Sequence, residues 1–403
     1  MTLSEKAKET FAKLGSQNLL IGIPSYNNKE TIGFVIEQAV KGAKNFNKDL
    51  KIVVFNSDGG STDGTPMEVE RVGKKLDVPI FSFPYEGIKG KGSSLFAIIE
   101  AGVIMDVDAL IFLDSDLRSI REWWVELFLD SILNKGYDYL TPYYIRHKYD
   151  GTITNNLVYP LMYGLFGSDI RQPIGGDFGL SGKITSYYAG KIKNISTESI
   201  FKFGIDIYLT TEAIAGGFNI GQVFLGAKIH DVKDPGKTLA PMFSQVTGTL
   251  FAQIWKYEKF WKKTNKRTEI PVLGEPTEIE IEEIVVNTDI LFEKFKDGIK
   301  NYETIYKHVL GEKNFNKLKD LKDKEKYYIS PVFWSHIIYD YLRTFKEKGE
   351  SIIPSLLPLY FGKILSFVNE TINMDTKDAE KLILEQGEVF LKERSYLFEG
   401  ITN

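Results

Sequence analysis

The chain has 403 residues, 43% hydrophobic and 13% aromatic, enough to bury a sizeable core in two domains or one enlarged one. Fifty Lys plus Arg against 54 Asp plus Glu leave a net charge of -4, which gives no general basic field for nucleic acid, and zero cysteines exclude disulfides, thiolate metal sites and a cysteine nucleophile. The amino-terminal MTLSEKAKETFAKLG is a polar helical pattern rather than a signal peptide, and no run of about 18 apolar residues stands out as a membrane span, so a cytoplasmic location without a transmembrane segment is expected.

Over the first 120 residues strand and helix patterns alternate. Leu19 to Pro24 is an apolar run, and Asn28 to Lys41 follows with Ile32, Val35, Ile36, Ala39 and Val40 at helical spacing. Lys51 to Phe55 reads as a second buried strand, followed by SDGGSTDGT and a helix near Pro66 to Leu76. Pro79 to Phe83 is a third, after which Gly87 to Gly92 leads into a helix over Ser93 to Val103, and Ala109 to Leu113 is a fourth strand. Such alternation predicts an α/β fold, a mostly parallel sheet flanked by helices with its site at the carboxyl ends of the strands.

The fourth strand delivers Asp114-Ser115-Asp116 to that edge. Two carboxylates one residue apart supply the hard oxygens that Mg²⁺ or Mn²⁺ prefers when it carries a diphosphate. D-x-D also occurs at ordinary surface turns, and what distinguishes this one is the chemistry of the neighbouring loops. Pro24, Ser25, Tyr26 and Asn27 offer backbone amides and an aromatic face, and Asp58, Ser61 and Asp63 follow the second strand among glycines. Lys89 and Lys91 alternate with Gly87, Gly90 and Gly92 before a helix, where amides, helix dipole and ammonium groups all favour phosphate. Neither a Walker loop nor G-x-G-x-x-G is present.

Taken in order, PSYNNKETI, SDGGSTDGT, GKGSS, LDSDL, QPIGGDFGLSG, FGIDIYL and GAKIHD resemble the nucleotide-sugar glycosyltransferases of the GT-A fold. Within them the set is most similar to the retaining glucosyl-3-phosphoglycerate, glucosylglycerate and mannosylglycerate synthases, over about residues 17 to 250. The resemblance implies a nucleotide-diphosphate hexose donor such as UDP-glucose or GDP-glucose, Mg²⁺ or Mn²⁺, and a glyceric-acid-type acceptor. It makes Asp116 the main metal ligand, with Asp114 near the ribose or metal and His230 completing the site. Lys91 would hold the diphosphate, and Pro24, Tyr26, Asn27, Asp58, Ser61 and Ser115 the nucleoside side of the donor. Tyr26 and Asn27 replace acidic residues common there in relatives, which leaves the base open.

In the same resemblance Gly175, Gly176 and Asp177 border the donor sugar, the glycines leaving room and the carboxylate accepting hexose hydroxyls. Asp206, at the start of an apolar helical stretch to Ala215, becomes the catalytic-site acid, although a carboxylate there also suits a helix amino terminus. Arg146 with Thr152 or Thr154 would hold the acceptor's carboxylate or phosphate; whether His147, Lys148 and Arg171 converge with them stays open, and with it the choice between D-glycerate and 3-phosphoglycerate. An acceptor on another sugar, polysaccharide or lipid carrier, a nucleotidyltransferase, and a non-catalytic nucleotide-sugar-binding module are the alternatives.

Beyond about residue 250 the pattern turns to long charged helices: Glu278 to Leu310, Asn314 to Lys326, Ser330 to Lys348 and Thr376 to Leu397. Pro354, Pro358, Tyr360 and Phe361 suggest a kinked or looped join, and His308 and His336 read as structural. The expected organisation is a catalytic domain over 1–250 and a helical region over 251–403 that packs on it, covers the acceptor site or makes a homodimer.

Overall fold

A computed structural model describes every residue except Met1, 230–234, Asn265, 276–280, 322–326 and 400–403, with backbone alone for 235–238 and Glu399. The strands are β1 Leu19–Ser25, β2 Ile52–Asp58, β3 Ile80–Pro84, β4 Ala109–Phe112, β5 Tyr139–Ile145, β6 Ser168–Asp169, β7 Phe178–Ser181, β8 Ile220–Ala227, β9 Thr268–Glu269 and β10 Val272–Leu273. Eight of them form one sheet in the order β10-β8-β5-β7-β4-β1-β2-β3. Its pairings are parallel except where β7 runs against β4 and β5. The register sets Pro24 beside Ser57 and Ser25 beside Asp58, so the first two loops leave the sheet at the same level. β1, β2 and β4 are apolar runs because parallel strands are covered on both faces. On one face Ile21, Ile23 and Ile111 pack against Val35, Ile36, Ala39 and Trp124 from the helices Lys29–Phe46 and Glu122–Leu129.

The chain forms two compact units. The first comprises 1–145, 172–233 and 270–281 and holds the eight-stranded sheet; the second comprises 146–171, 234–269 and 282–403. The single boundary expected at about residue 250 therefore differs from the observed division, because the chain crosses between units several times. Segment 146–171 joins the second unit through its own contacts: Arg171 forms a forked ion pair with Glu380 at 2.5 and 2.8 Å, and the Trp334 indole donates to the carbonyl of Asn156 at 2.6 Å.

In the second unit the helices Thr288–Asn301, Glu303–Lys319, Pro331–Lys348, Ile353–Thr371 and Thr376–Lys392 account for most of the residues that the sequence pattern marked as helical. Of the pattern starting at Glu278, residues 278–280 lie outside the described residues, 281–287 are not helical, and the helix begins at Thr288, where the Asn287 side chain caps the amide of Ile290 at 3.1 Å. The expected join at Pro354 and Pro358 is instead part of an unbroken helix. Pro354 occupies the first turn, where no amide bond is lost, and Pro358 follows one turn later, removing one bond while its ring packs beside Gly298. Pro331–Thr371 is long and apolar enough by composition to cross a membrane, and 78% of its most apolar window is buried within the structure, as in a core helix.

Candidate active site

The carboxyl edge of the sheet in the first unit gathers charge of both signs. β4 ends at Phe112, and Leu113 continues the ladder by donating its amide to Gly22, which fixes where Asp114 emerges. Lys91 opens the helix Lys91–Ile104, and its ammonium lies 3.1 Å from Asp114 Oδ1 and 3.3 Å from Asp206 Oδ2. Lys228, the residue after β8, reaches Asp114 Oδ2 at 2.7 Å, Asp177 Oδ2 at 2.9 Å and the carbonyl of Gly175 at 2.9 Å. Two ammonium groups thus link three buried or half-buried carboxylates, which is what makes their removal from water tolerable.

Lys91 and Asp206 are tuned against each other. Burial alone would lower the Lys91 pKa, but the facing Asp114, Asp206 and Asp177 carboxylates raise it, so the ammonium is held charged. Desolvation raises the Asp206 pKa, with Lys91 opposing and Asp114 adding to the rise. Asp206 sits in the first turn of the helix Ile205–Ala215, and its Oδ1 is buried with no hydrogen-bond partner. A buried acceptor of this kind is costly, and it is open to a donor group.

Asp177 has a different place from the one its motif suggests. It is fully buried; Oδ1 accepts the amide of Asp114 at 2.8 Å, and Oδ2 accepts the Tyr144 hydroxyl at 2.5 Å besides Lys228. Its carboxylate therefore supports Asp114 from below and does not face outward to receive hexose hydroxyls. The glycines serve the same packing. A Cβ on Gly175 would meet the Pro142 ring at 2.1 Å, and one on Gly176, at φ +92°, would meet Asp114 Oδ2 at 2.4 Å, so the space they leave is filled by the protein itself.

The first two loops are clamped together. Asp58 accepts the amides of Gly60 and Ser61 at 2.8 Å each and the hydroxyls of Ser61 at 2.6 Å and Ser25 at 3.1 Å, which occupies both oxygens. Asn27, at φ +57°, donates its amide to the Ser61 hydroxyl at 2.8 Å and accepts the Thr62 amide at 2.9 Å. Asp58, Ser61 and Asn27 thus shape the loop, whereas Tyr26 is 63% exposed and presents its ring to solvent. Ser115 donates to Asn28 Oδ1 at 2.8 Å and accepts at its carbonyl from Thr31 at 2.7 Å, tying the D-x-D turn to the same loop.

Asp116 is buried, 6% exposed. The chain after β8 docks on the turn that follows it, since the Ile229 carbonyl accepts from the Arg118 amide at 2.8 Å and its amide donates to Ser119 at 2.9 Å. His230, expected as the third ligand, lies outside the described residues, and no cluster of three metal-binding side chains occurs among those described. The donor chemistry fits a hard divalent cation at Asp116 beside Asp114, although Asp114 already faces two ammonium groups.

The acceptor candidates lie in the second unit. The Arg146 guanidinium is 3.4 Å from Asp150, Thr152 exchanges a 2.7 Å hydrogen bond with the Tyr360 hydroxyl, and Thr154 is buried in the turn Thr154–Val158. Lys148 donates to the carbonyls of Thr371 at 2.8 Å and Met374 at 2.6 Å, finishing the helix Ile353–Thr371, and Arg171 is committed to Glu380 and Asn155. Burial lowers the His147 pKa, and its ring lies 3.3 Å from Glu283. Lys228 and Asn28 are the residues the motif reading overlooked; the signal available was position alone, one residue past a buried strand and one before a helix.

The mostly parallel sheet with its D-x-D turn and flanking helices is a GT-A fold. Residues 20–178, under half of the chain, match the family model described as Glycosyl transferase family 2, and this match supports a hexosyltransferase. No curated protein sequence matches the chain. Solved structures of glucosyl-3-phosphoglycerate synthase from Mycobacterium tuberculosis are similar at low identity. Its complex with Mn²⁺, uridine diphosphate and phosphoglyceric acid is 23% identical, covering 62% of this chain and 82% of that one at a TM-score of 0.46. The complex with Mg²⁺ and uridine diphosphate is 22% identical, over 61% and 83% at 0.45, and that with Mn²⁺ and uridine-diphosphate-glucose 20%, over 61% and 82% at 0.46.

Proposed function

We propose that the protein moves a hexose, glucose in the first instance, from a nucleotide-diphosphate sugar to D-glycerate or 3-phosphoglycerate with retention, giving a glucosylglycerate-type compatible solute or its precursor. The observation that carries the transfer chemistry is the Lys91, Asp114 and Asp206 cluster with the unpartnered Oδ1 of Asp206, in which Lys91 and Asp114 fall within the stretch 20–178 that matches the family 2 glycosyltransferase model. Acceptor class rests on the motif resemblance and on Arg146. With Lys148 held by helix carbonyls and Arg171 by Glu380, the segment spends cations that a phosphate would need, which favours the free acid.

Lys91 can turn its ammonium from Asp114 toward a diphosphate and stabilise the charge that develops as the sugar bond breaks. Asp206 Oδ1, a buried acceptor without a partner, would hold the acceptor hydroxyl and orient it. Tyr26 offers a flat face to the base. Asp116, with Asp114, would hold Mg²⁺ or Mn²⁺, whose contribution when bound is to neutralise the diphosphate. The test is nucleotide diphosphate release across UDP-, GDP- and ADP-linked glucose and mannose against D-glycerate and 3-phosphoglycerate. Acceptor-dependent release that vanishes in Asp116→Ala supports the reading; hydrolysis without acceptor dependence, or no release with any pair, overturns the acceptor assignment.

A further inference from the structure

The groups assigned to transfer chemistry leave one buried cation of the second unit without a use. Lys363, Phe367 and Glu370 recur at helical spacing along Ile353–Thr371, and Ile383 and Gln386 share a face of Thr376–Lys392. Together with Glu385 they line a cavity of about 140 Å³. At about 30 Å³ per water, that volume suits four or five waters or one molecule of five or six heavy atoms.

Lys363 is 2% exposed, and its ammonium has a single acceptor among the described residues, the carbonyl of Ile329 at 3.4 Å. An ammonium carries three donors, and a buried charge so poorly partnered is expensive. Burial lowers its pKa to about 8, which still leaves it mostly charged at neutral pH, and desolvation raises that of the half-buried Glu370. The wall thus holds one buried ammonium with a single acceptor at 3.4 Å, the half-buried carboxyl of Glu370, and the carboxyl of Glu385 exposed at its rim.

We propose that this cavity binds a small zwitterion, an α-amino acid of about the size of glycine or alanine, with its carboxylate on Lys363 and its ammonium toward Glu370 and Glu385. A simple anion would meet the two glutamates, and a simple cation would meet the lysine. A molecule carrying both charges leaves the net charge of the wall unchanged while completing each partner. Phe367 and Ile383 supply the apolar surface for its carbon atoms.

The experiment uses the full-length protein and calorimetric titration with glycine, acetate and methylammonium. Glycine should bind at least about tenfold more tightly than either half-molecule, since one charge-assisted contact commonly carries such a factor. Lys363→Met and Glu370→Gln should each weaken glycine by about tenfold. Equal or absent binding of the three probes to the unaltered protein overturns the site, as does unchanged glycine affinity in Lys363→Met. If that variant does not fold, the probe comparison and Glu370→Gln decide the matter, and neither readout depends on sugar transfer.

Discussion

The two units bury charge in opposite ways. In the sheet unit Lys91 and Lys228 lie among Asp114, Asp177 and Asp206, and the carboxylates raise the Lys91 pKa despite burial. In the helical unit Lys363 is buried more deeply, 2% exposed against 17% for the Lys91 side chain, and has one weak acceptor; burial lowers its pKa to about 8, with Glu370 opposing only in part. Compensated charge stays ionised without undoing the fold, and it can be lent to a ligand during a reaction. Uncompensated charge weighs on stability until something supplies the missing partner.

Removing a single group on the compensated side should have the largest effect. Asp116→Ala is expected to lower kcat/KM about a thousandfold or more, the scale of losing one preorganised electrostatic group, with unchanged circular dichroism. Retained transfer would place the metal elsewhere. Lys228→Met leaves Asp177 buried without its cation and should destabilise the protein by about 3–5 kcal/mol, measured by urea unfolding. A loss below 1 kcal/mol on the scale of an exposed pair would mean that the lysine is dispensable to the cage. Lys91→Met should cost about 10²–10³ in kcat while secondary structure stays intact.

On the uncompensated side the sign reverses. The folded pKa of Lys363 lies below its ordinary value of 10.5, so under pH 8 both states hold the proton and the full cost of burying it is present. Between about pH 8 and 10.5 the unfolded chain binds the proton and the folded one does not, so stability rises with pH. Lys363→Met should therefore stabilise the protein at pH 7 by about 3 kcal/mol and abolish that rise, read from unfolding midpoints across pH. Asp206→Asn sharpens the contrast from the other unit. Its pKa is raised above 3.8, so the acid limb of the rate should lie above the ordinary aspartate range, and the variant should lose about a hundredfold in rate together with that limb.

Much of the sheet edge was legible because parallel strands are continuous apolar runs and their ends are marked by the first polar residues, as at Ser57-Asp58 and Asp114. What could not be read was direction. Asp177 looks like a sugar ligand in a glycine-rich turn, yet β7 runs antiparallel and carries it inward onto Lys228 and Tyr144. Lys228 stands between a strand and a histidine, and nothing local distinguishes it from a solvated lysine. The helices were visible from periodicity, but the kinked or looped join expected at Pro354, Pro358, Tyr360 and Phe361 is a continuous helix, because a proline one turn into a helix sacrifices only one bond. Segment 146–171 carries no local sign of its membership in the second unit, since its partners lie far along the chain.

Those distant partners affect how the molecule is made. Lys148 waits for a carbonyl 223 residues later, Arg171 for a carboxylate 209 residues later, and Asn156 for an indole 178 residues later. At about 5–20 residues per second of synthesis, Arg171 emerges roughly 10 to 40 s before Glu380 exists. During that interval the aromatic stretch around Tyr159 and Tyr163, whose core partners include Phe367 and Ile383, has no native cover. The apolar surface around Tyr159 and Tyr163 therefore gains its native cover only after Phe367 and Ile383 have been made, an interval in which exposed apolar surface favours aggregation.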